Sequence, residues 1–244
     1  MIKKTAILNF SKLNYKFKKD CEYAIKQNNF CIIKNFLDNE KILLAKKKIF
    51  KKFTKLSLNS KLNPSFNSYE LRKIVGKKKI NKNVIEIFNP SKDRDIYNLR
   101  QSFRKMADLR NLLLGLPFKK DSFLYKNEKY FTSNRIMYYK SGTGFLDSHY
   151  DKKAGEYTKK KFGKYFQILA TITKKGDDFK LGGGTIYPKN KKIIIDDYLN
   201  YGDVLIYNEK LKHGVDKIVA NKKNKNKGRI SILVTFYKQY KNLK

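Results

Sequence analysis

The sequence predicts a mainly-β protein of the α+β class, a sandwich or jelly roll with helices packed on the outside of one sheet. Three observations predict it. From residue 134 onward, eight short apolar runs are punctuated by Gly, Asp and Asn at regular intervals, the pattern of successive antiparallel strands. Before residue 130, apolar residues recur at helical steps of three and four. Helical and strand patterns are segregated rather than alternating, which excludes repeated βαβ units. At 244 residues, with 41% hydrophobic residues and 17 Tyr and 17 Phe, the chain can fill one full-sized core. It is expected as a single domain over 1–244, with a helical support region at 1–130 and a jelly-roll core at 131–240.

In chain order, residues 5–10 read as an opening strand, since this apolar stretch is too short for a secretory signal. Residues 15–28 read as a helix leading into an apolar strand at 30–33. Asp38 is placed to cap a lysine-rich amphipathic helix running to about residue 53. Residues 59–91 show weak periodicity and hold two of the four prolines, Pro64 and Pro90, so a long loop with short elements is expected there. The clearest helix spans 95–114, where Ile96, Leu99, Phe103, Met106, Leu109 and Leu113 form one core-facing stripe closed by Pro117. Strands are then expected at 136–139, 145–150, 165–173, 184–187, 192–195, 203–207, 215–219 and 229–237. Gly182, Gly183 and Gly184 read as a β-turn. The NKKNKNK segment at 221–227 reads as an exposed hairpin loop.

The formal charge of +36 rests on fifty lysines and only seven arginines. Lys, Asn, Ile, Phe and Tyr, all with A/T-rich codons, make up 130 of the residues, so coding bias accounts for most of the lysine. It does not account for only seven glutamates, and a case for an acidic partner survives on that count. The absence of any long apolar run excludes a helical membrane span. Two cysteines, Cys21 and Cys31, are too few for a disulfide framework, and a reduced, cytoplasmic setting is expected.

The scarce residues carry the chemistry. The chain has two histidines, His149 and His213, and Asp151 follows the first by two positions. On a strand, positions i and i+2 share a face, so His149 and Asp151 can reach one ion. His213 follows an apolar strand, DVLIY, and a short loop. Two imidazoles and one carboxylate on converging strands form the facial triad that suits non-haem Fe(II) and leaves coordination positions open. A histidine with an aspartate two residues on is by itself a weak signal. Arg229, sixteen residues after His213, adds to it, with Ser231 on the same face. A guanidinium and a hydroxyl so placed suit a carboxylate. Gln167 lies mid-strand and faces either the interior or solvent. Asn208 reads as a turn residue with a possible orienting role.

Together these residues resemble the Fe(II)/2-oxoglutarate-dependent dioxygenase superfamily, in its prolyl-hydroxylase-like branch. The resemblance covers about residues 134–237: YYKSGTGFLDSHYD, QILATITKKGDDFKLGGGTIY, YGDVLIYNEKLKHGV and the final R-x-S strand. It implies a double-stranded β-helix holding Fe(II) through His149, Asp151 and His213. It implies 2-oxoglutarate bound by Arg229 and Ser231, with a tyrosine before the metal strand, Tyr139 or its competitor Tyr138, on the same carboxylate. O2 is the third reactant, and succinate and CO2 are the co-products. Asp151 departs from the small residue that halogenases of this superfamily carry. The wide gap between His213 and Arg229 is also similar to the nucleic-acid demethylase (AlkB-like) branch, although Lys238 stands where that branch has a second arginine.

The expected function is therefore hydroxylation of an unactivated C–H bond in a small metabolite, an amino acid or a peptidyl residue. Nucleic-acid demethylation, which would make a polyanion the partner, is the alternative enzyme reading. A non-catalytic jelly-roll binding module is the alternative from another class.

Overall fold

A computed structural model describes residues 2–53, 70–76, 81–88, 95, 97–118, 130–220 and 227–238. Helix α1, Tyr15–Asn28, starts where the Asn14 side chain accepts the Phe17 N–H at 2.9 Å, and it stops at Asn29 in a left-handed conformation. It buries Phe17, Cys21, Ala24 and Ile25, then feeds strand β2, Phe30–Lys34. Strand β1, Ile7–Asn9, lies parallel to β2. Asp38 caps helix α2, Asn39–Phe53, by accepting the Glu40 and Lys41 N–H groups at 3.0 and 3.2 Å. Both helices match the sequence pattern.

Helix α3, Arg100–Leu114, begins five residues later than its periodicity predicts. Asp95 is a cap and not the first turn: its carboxylate accepts the Leu99 and Arg100 N–H groups at 2.8 and 3.1 Å, and Asn98 between them is left-handed. Residue 96 lies outside the described residues. The stretch expected as a loop holds an antiparallel hairpin, β3 (Glu70–Gly76) and β4 (Lys82–Phe88). Pro64 and Pro90 lie outside the described residues. Among the described residues, the region before residue 130 thus supplies four strands as well as three helices.

All eight later strands are present: β5 (Tyr130–Lys140), β6 (Phe145–His149), β7 (Gln167–Thr171), β8 (Leu181–Ile186), β9 (Ile193–Ile194), β10 (Val204–Tyr207), β11 (His213–Val219) and β12 (Gly228–Lys238). A fourth helix, α4 (Lys152–Phe162), intervenes between β6 and β7. The strands hydrogen-bond along one path, β1-β2-β10-β7-β12-β5-β4-β6-β11-β8-β9, with β3 beside β4. The sheet is mixed and not closed: β1 pairs parallel with β2, the other pairings are antiparallel, and β1 and β9 are its ends. It folds over so that β8 faces β12. Side chains of both, with those of β4, β5, β7, β10 and β11, line one cavity of about 210 Å³.

Strand alternation divides the residues between two environments. On β12, Ile230, Ile232 and Val234 are buried against the helices, with Phe103, Met106 and Leu109 of α3 in the same core. The intervening Arg229, Ser231 and Leu233 face the cavity. The same division runs through β5, with Ile136 and Tyr138 outward and Arg135, Met137 and Tyr139 inward. The architecture is a jelly roll with the N-terminal helices on one sheet.

Two local expectations are corrected. Gly182–Gly184 form no turn; they lie within β8. The strands on either side of the NKKNKNK segment, β11 and β12, are not neighbours on the sheet path and so do not form the expected hairpin. Residues 221–226 of that segment lie outside the described residues.

Candidate metal centre and its pocket

His149 ends β6 and His213 begins β11, and the antiparallel register sets them directly opposite. Their ring centroids are 4.4 Å apart. Asp151 does not share a strand face with His149, because β6 stops at His149 and Asp151 is the residue that starts α4. The turn into the helix carries its carboxylate between the two imidazoles. Asp151 Oδ1 is 3.8 Å from His149 Nε2, and Oδ2 is 3.6 Å from His213 Nε2. One ligand atom from each of the three lies within 4.8 Å of the others.

Both rings are oriented for ligation by their other nitrogen. His149 Nδ1 lies 2.9 Å from the Asp147 carbonyl and His213 Nδ1 lies 3.0 Å from the Leu211 carbonyl. A carbonyl only accepts, so each Nδ1 holds the proton and each Nε2 presents a lone pair to the centre of the cluster. Burial pulls the His213 pKa down, against the opposing pull of Asp151, which favours the neutral ring that a metal needs. The donor set therefore fits a divalent first-row metal with positions left open.

Tyr165 was not singled out by the sequence pattern. Its buried hydroxyl is 3.0 Å from Asp151 Oδ2 and 2.8 Å from the Gln167 side-chain oxygen. Burial first, and then the Asp151 charge, raise its pKa, so it stays protonated and donates. Gln167 faces the cavity, which resolves its two readings inward. The Tyr207 ring stacks at a tilt 4.6 Å from His213, and burial raises its pKa as well. Asn208 is a turn residue, its side chain accepting the Lys210 N–H at 3.0 Å.

At the far side of the same cavity, Arg229 sits opposite Tyr139 in the β12–β5 register, with its guanidinium carbon 5.7 Å from the Tyr139 ring centroid. Nη1 donates to Ser231 Oγ at 3.1 Å. The structure thus gathers Arg229, Ser231 and Tyr139 at one place. Tyr138 points to the helix side, where its ring meets Phe50 at 6.0 Å and burial pushes its pKa up to about 12.

The remaining partner was not legible. Arg229 Nε donates to Asp196 Oδ2 at 2.7 Å, and both side chains are only 2% exposed. Burial works against the guanidinium charge, but Asp196 outweighs it and the Arg229 pKa rises. The Gly184 N–H donates to the same carboxylate oxygen. The glycine run makes room for this pair: a Cβ on Gly183 would fall 2.8 Å from Asp196 Oδ2, and one on Gly184 would fall 2.8 Å from Arg229 Nη2.

With the geometry in hand, solved structures place the fold. A prolyl-4-hydroxylase from Pseudomonas putida matches at TM-score 0.58 and 10% identity, over 91% of this chain and all of that one. A 2OG-Fe(II) oxygenase family oxidoreductase from Burkholderia pseudomallei matches at 0.54 and 12%, over 96% and 97%. The non-haem α-ketoglutarate-dependent epimerase SnoN of nogalamycin biosynthesis matches at 0.59 and 9%, over 94% and 88%. No protein-family model and no curated protein sequence matches the chain. The chain has the fold of the 2-oxoglutarate/Fe(II) oxygenases, prolyl-hydroxylase-like members included, and carries a His-Asp-His cluster at the cavity of that fold. Among the described residues, no helix is long and apolar enough to cross a membrane.

Proposed function

We propose that this protein is an Fe(II)- and 2-oxoglutarate-dependent dioxygenase that hydroxylates an unactivated C–H bond of a small metabolite, an amino acid or a peptidyl residue. One observation carries the reading: two Nε2 lone pairs and one carboxylate converge at a cavity that also holds a buried arginine. His149, Asp151 and His213 hold the metal, and Arg229, Ser231 and Tyr139 take the distal carboxylate of 2-oxoglutarate. The bound metal supplies the redox chemistry by which O2 and 2-oxoglutarate oxidise a substrate, with succinate and CO2 released. The chain's own residues bind, orient and exclude water. The carbonyls of Asp147 and Leu211 fix the two tautomers, Tyr165 holds the Asp151 carboxylate, and the apolar walls around Met137 and Leu233 shield the site. Free thiols at Cys21 and Cys31 suit a reducing, cytoplasmic setting.

Succinate formation from 2-oxoglutarate, dependent on Fe(II) and lost in His213→Ala, is the test. A folded wild-type protein that yields no succinate with Fe(II) and a broad panel of candidate substrates, and a His213→Ala variant that binds Fe(II) equally well, would remove the reading in favour of a non-catalytic module. A second reading, oxidative demethylation of nucleic acid, is favoured by the exposed Lys152, Lys160 and Lys161 of α4, the helix that starts at Asp151. It requires nucleic-acid binding that weakens steeply with salt.

A further inference from the structure

The buried Arg229–Asp196 pair raises a question that the proposed function leaves open. Arg229 is taken there as the cation that receives the distal carboxylate of 2-oxoglutarate, yet its charge is already matched. Its Nε edge is bound to Asp196, and Nη1 is bound to Ser231. Nη2 makes no hydrogen bond among the described residues. Asp196 is not free to leave: Oδ2 accepts both the Arg229 Nε–H and the Gly184 N–H, and the carboxylate is packed over Gly183 and Gly184, where side chains have been omitted to admit it. An arginine does not give up its proton, and a buried arginine without a counter-charge is strongly destabilising, so the pair lets this pocket fold before any co-substrate arrives.

Resting on the reading of Arg229 as the co-substrate cation, we propose that Asp196 is a standing counter-ion that holds the affinity for 2-oxoglutarate down. When the distal carboxylate binds, two carboxylates share one guanidinium in a water-poor pocket, and their repulsion offsets part of the attraction. The site therefore responds to the supply of 2-oxoglutarate over a higher concentration range than an unpaired arginine would. The GGG run of β8 and the IDD segment after β9, which the metal chemistry does not use, are the parts that build this device.

The experiment compares the wild-type protein with Asp196→Asn, both loaded with Fe(II) without oxygen, by calorimetric titration with 2-oxoglutarate and with 2-oxobutyrate, which lacks the distal carboxylate. The asparagine oxygen keeps an acceptor for both donors but removes the charge. The variant is expected to bind 2-oxoglutarate about tenfold tighter or more, with 2-oxobutyrate changed less than about twofold. Unchanged or weaker 2-oxoglutarate binding by a folded Asp196→Asn variant overturns the proposal and leaves Asp196 a purely structural partner. The wild-type protein alone gives a second test that does not depend on the variant folding. Its preference for 2-oxoglutarate over 2-oxobutyrate is expected to stay below about a hundredfold, the low end of what a full buried charge pair gives. A larger preference contradicts the counter-ion. If the wild-type protein binds no 2-oxoglutarate at all, it is the proposed function that falls, an outcome distinct from both of these.

Discussion

The two faces of the major sheet are made by the same strands, and they behave as different proteins. On β12 the outward residues Ile230, Ile232 and Val234 lie in the helix-covered core and are wholly apolar, while the inward Arg229 and Ser231, one position away, are polar and also buried. The outward face gains its free energy from area removed from water, and an apolar residue of similar volume serves there. The cavity side holds Arg229, Asp196, Tyr165 and Gln167 out of water only because each finds a partner, and keeps Asp151 half-buried beside them. Stability is spread over many outward positions, whereas the chemistry is concentrated in a few inward ones.

Substitutions on the two faces can break this contrast. The largest effect is expected inward: His213→Ala removes one of three ligands, so Fe(II) binding and 2-oxoglutarate turnover should fall to background while the thermal transition of the metal-free protein moves little. A turnover assay and a melting curve on the same preparation check both halves. Outward, Ile232→Ala deletes a fully buried side chain and is expected to cost about 2–5 kcal/mol in denaturant unfolding, with Fe(II) affinity unchanged below the transition. Loss of metal binding in that variant would show that the faces are not separable.

Smaller effects sharpen the account. Tyr165→Phe removes the hydroxyl on Asp151 and is expected to weaken Fe(II) binding about 10- to 100-fold, read by competition with a chelator. Acid should release the metal as protons compete for the Nε2 atoms. Because burial lowers the His213 pKa, this ring takes up its proton in more acid solution than a free imidazole does, and metal loss already complete at neutral pH would contradict the assignment. Least of all, Lys160→Glu with Lys161→Glu in the exposed last turn of α4 should cost about 1 kcal/mol, as acidic groups oppose the helix dipole there. The same pair decides the nucleic-acid reading, since a polyanion partner would then be lost.

Much of this contrast was legible in the sequence because strand alternation writes both faces into one segment. The eight later strands and the stripe of α3 follow from period and spacing, whereas the meeting of His149, His213 and Arg229 at one cavity was implied by the family resemblance, and strand alternation alone misplaced Asp151, which sits at the start of α4. The missed parts have physical reasons. The β3–β4 hairpin is hidden because ELRKIVG and KNVIEIF carry charges at positions that a half-buried strand would fill with apolar groups. Helix α4, KKAGEYTKKKF, has too few apolar residues to show a stripe and owes its start to the turn at Asp151. Asp196 was invisible because its partner lies 33 residues away and it falls just past the end of an expected strand, where an aspartate draws no notice. The three glycines read as a β-turn, whereas they lie in β8, where Gly182 and Gly183 take positive φ and Gly183 and Gly184 leave space for Asp196 and Arg229.

The central claim is that one cavity binds Fe(II) through His149, Asp151 and His213 and 2-oxoglutarate through the metal and Arg229 together. Anaerobic addition of 2-oxoglutarate to the Fe(II)-loaded protein, followed by visible absorbance, tests it most directly. A metal-to-ligand charge-transfer band is predicted for the wild-type protein, absent in His213→Ala and displaced to much higher 2-oxoglutarate concentration in Arg229→Ala. No band in the wild-type protein, or an undiminished band in His213→Ala, would contradict it.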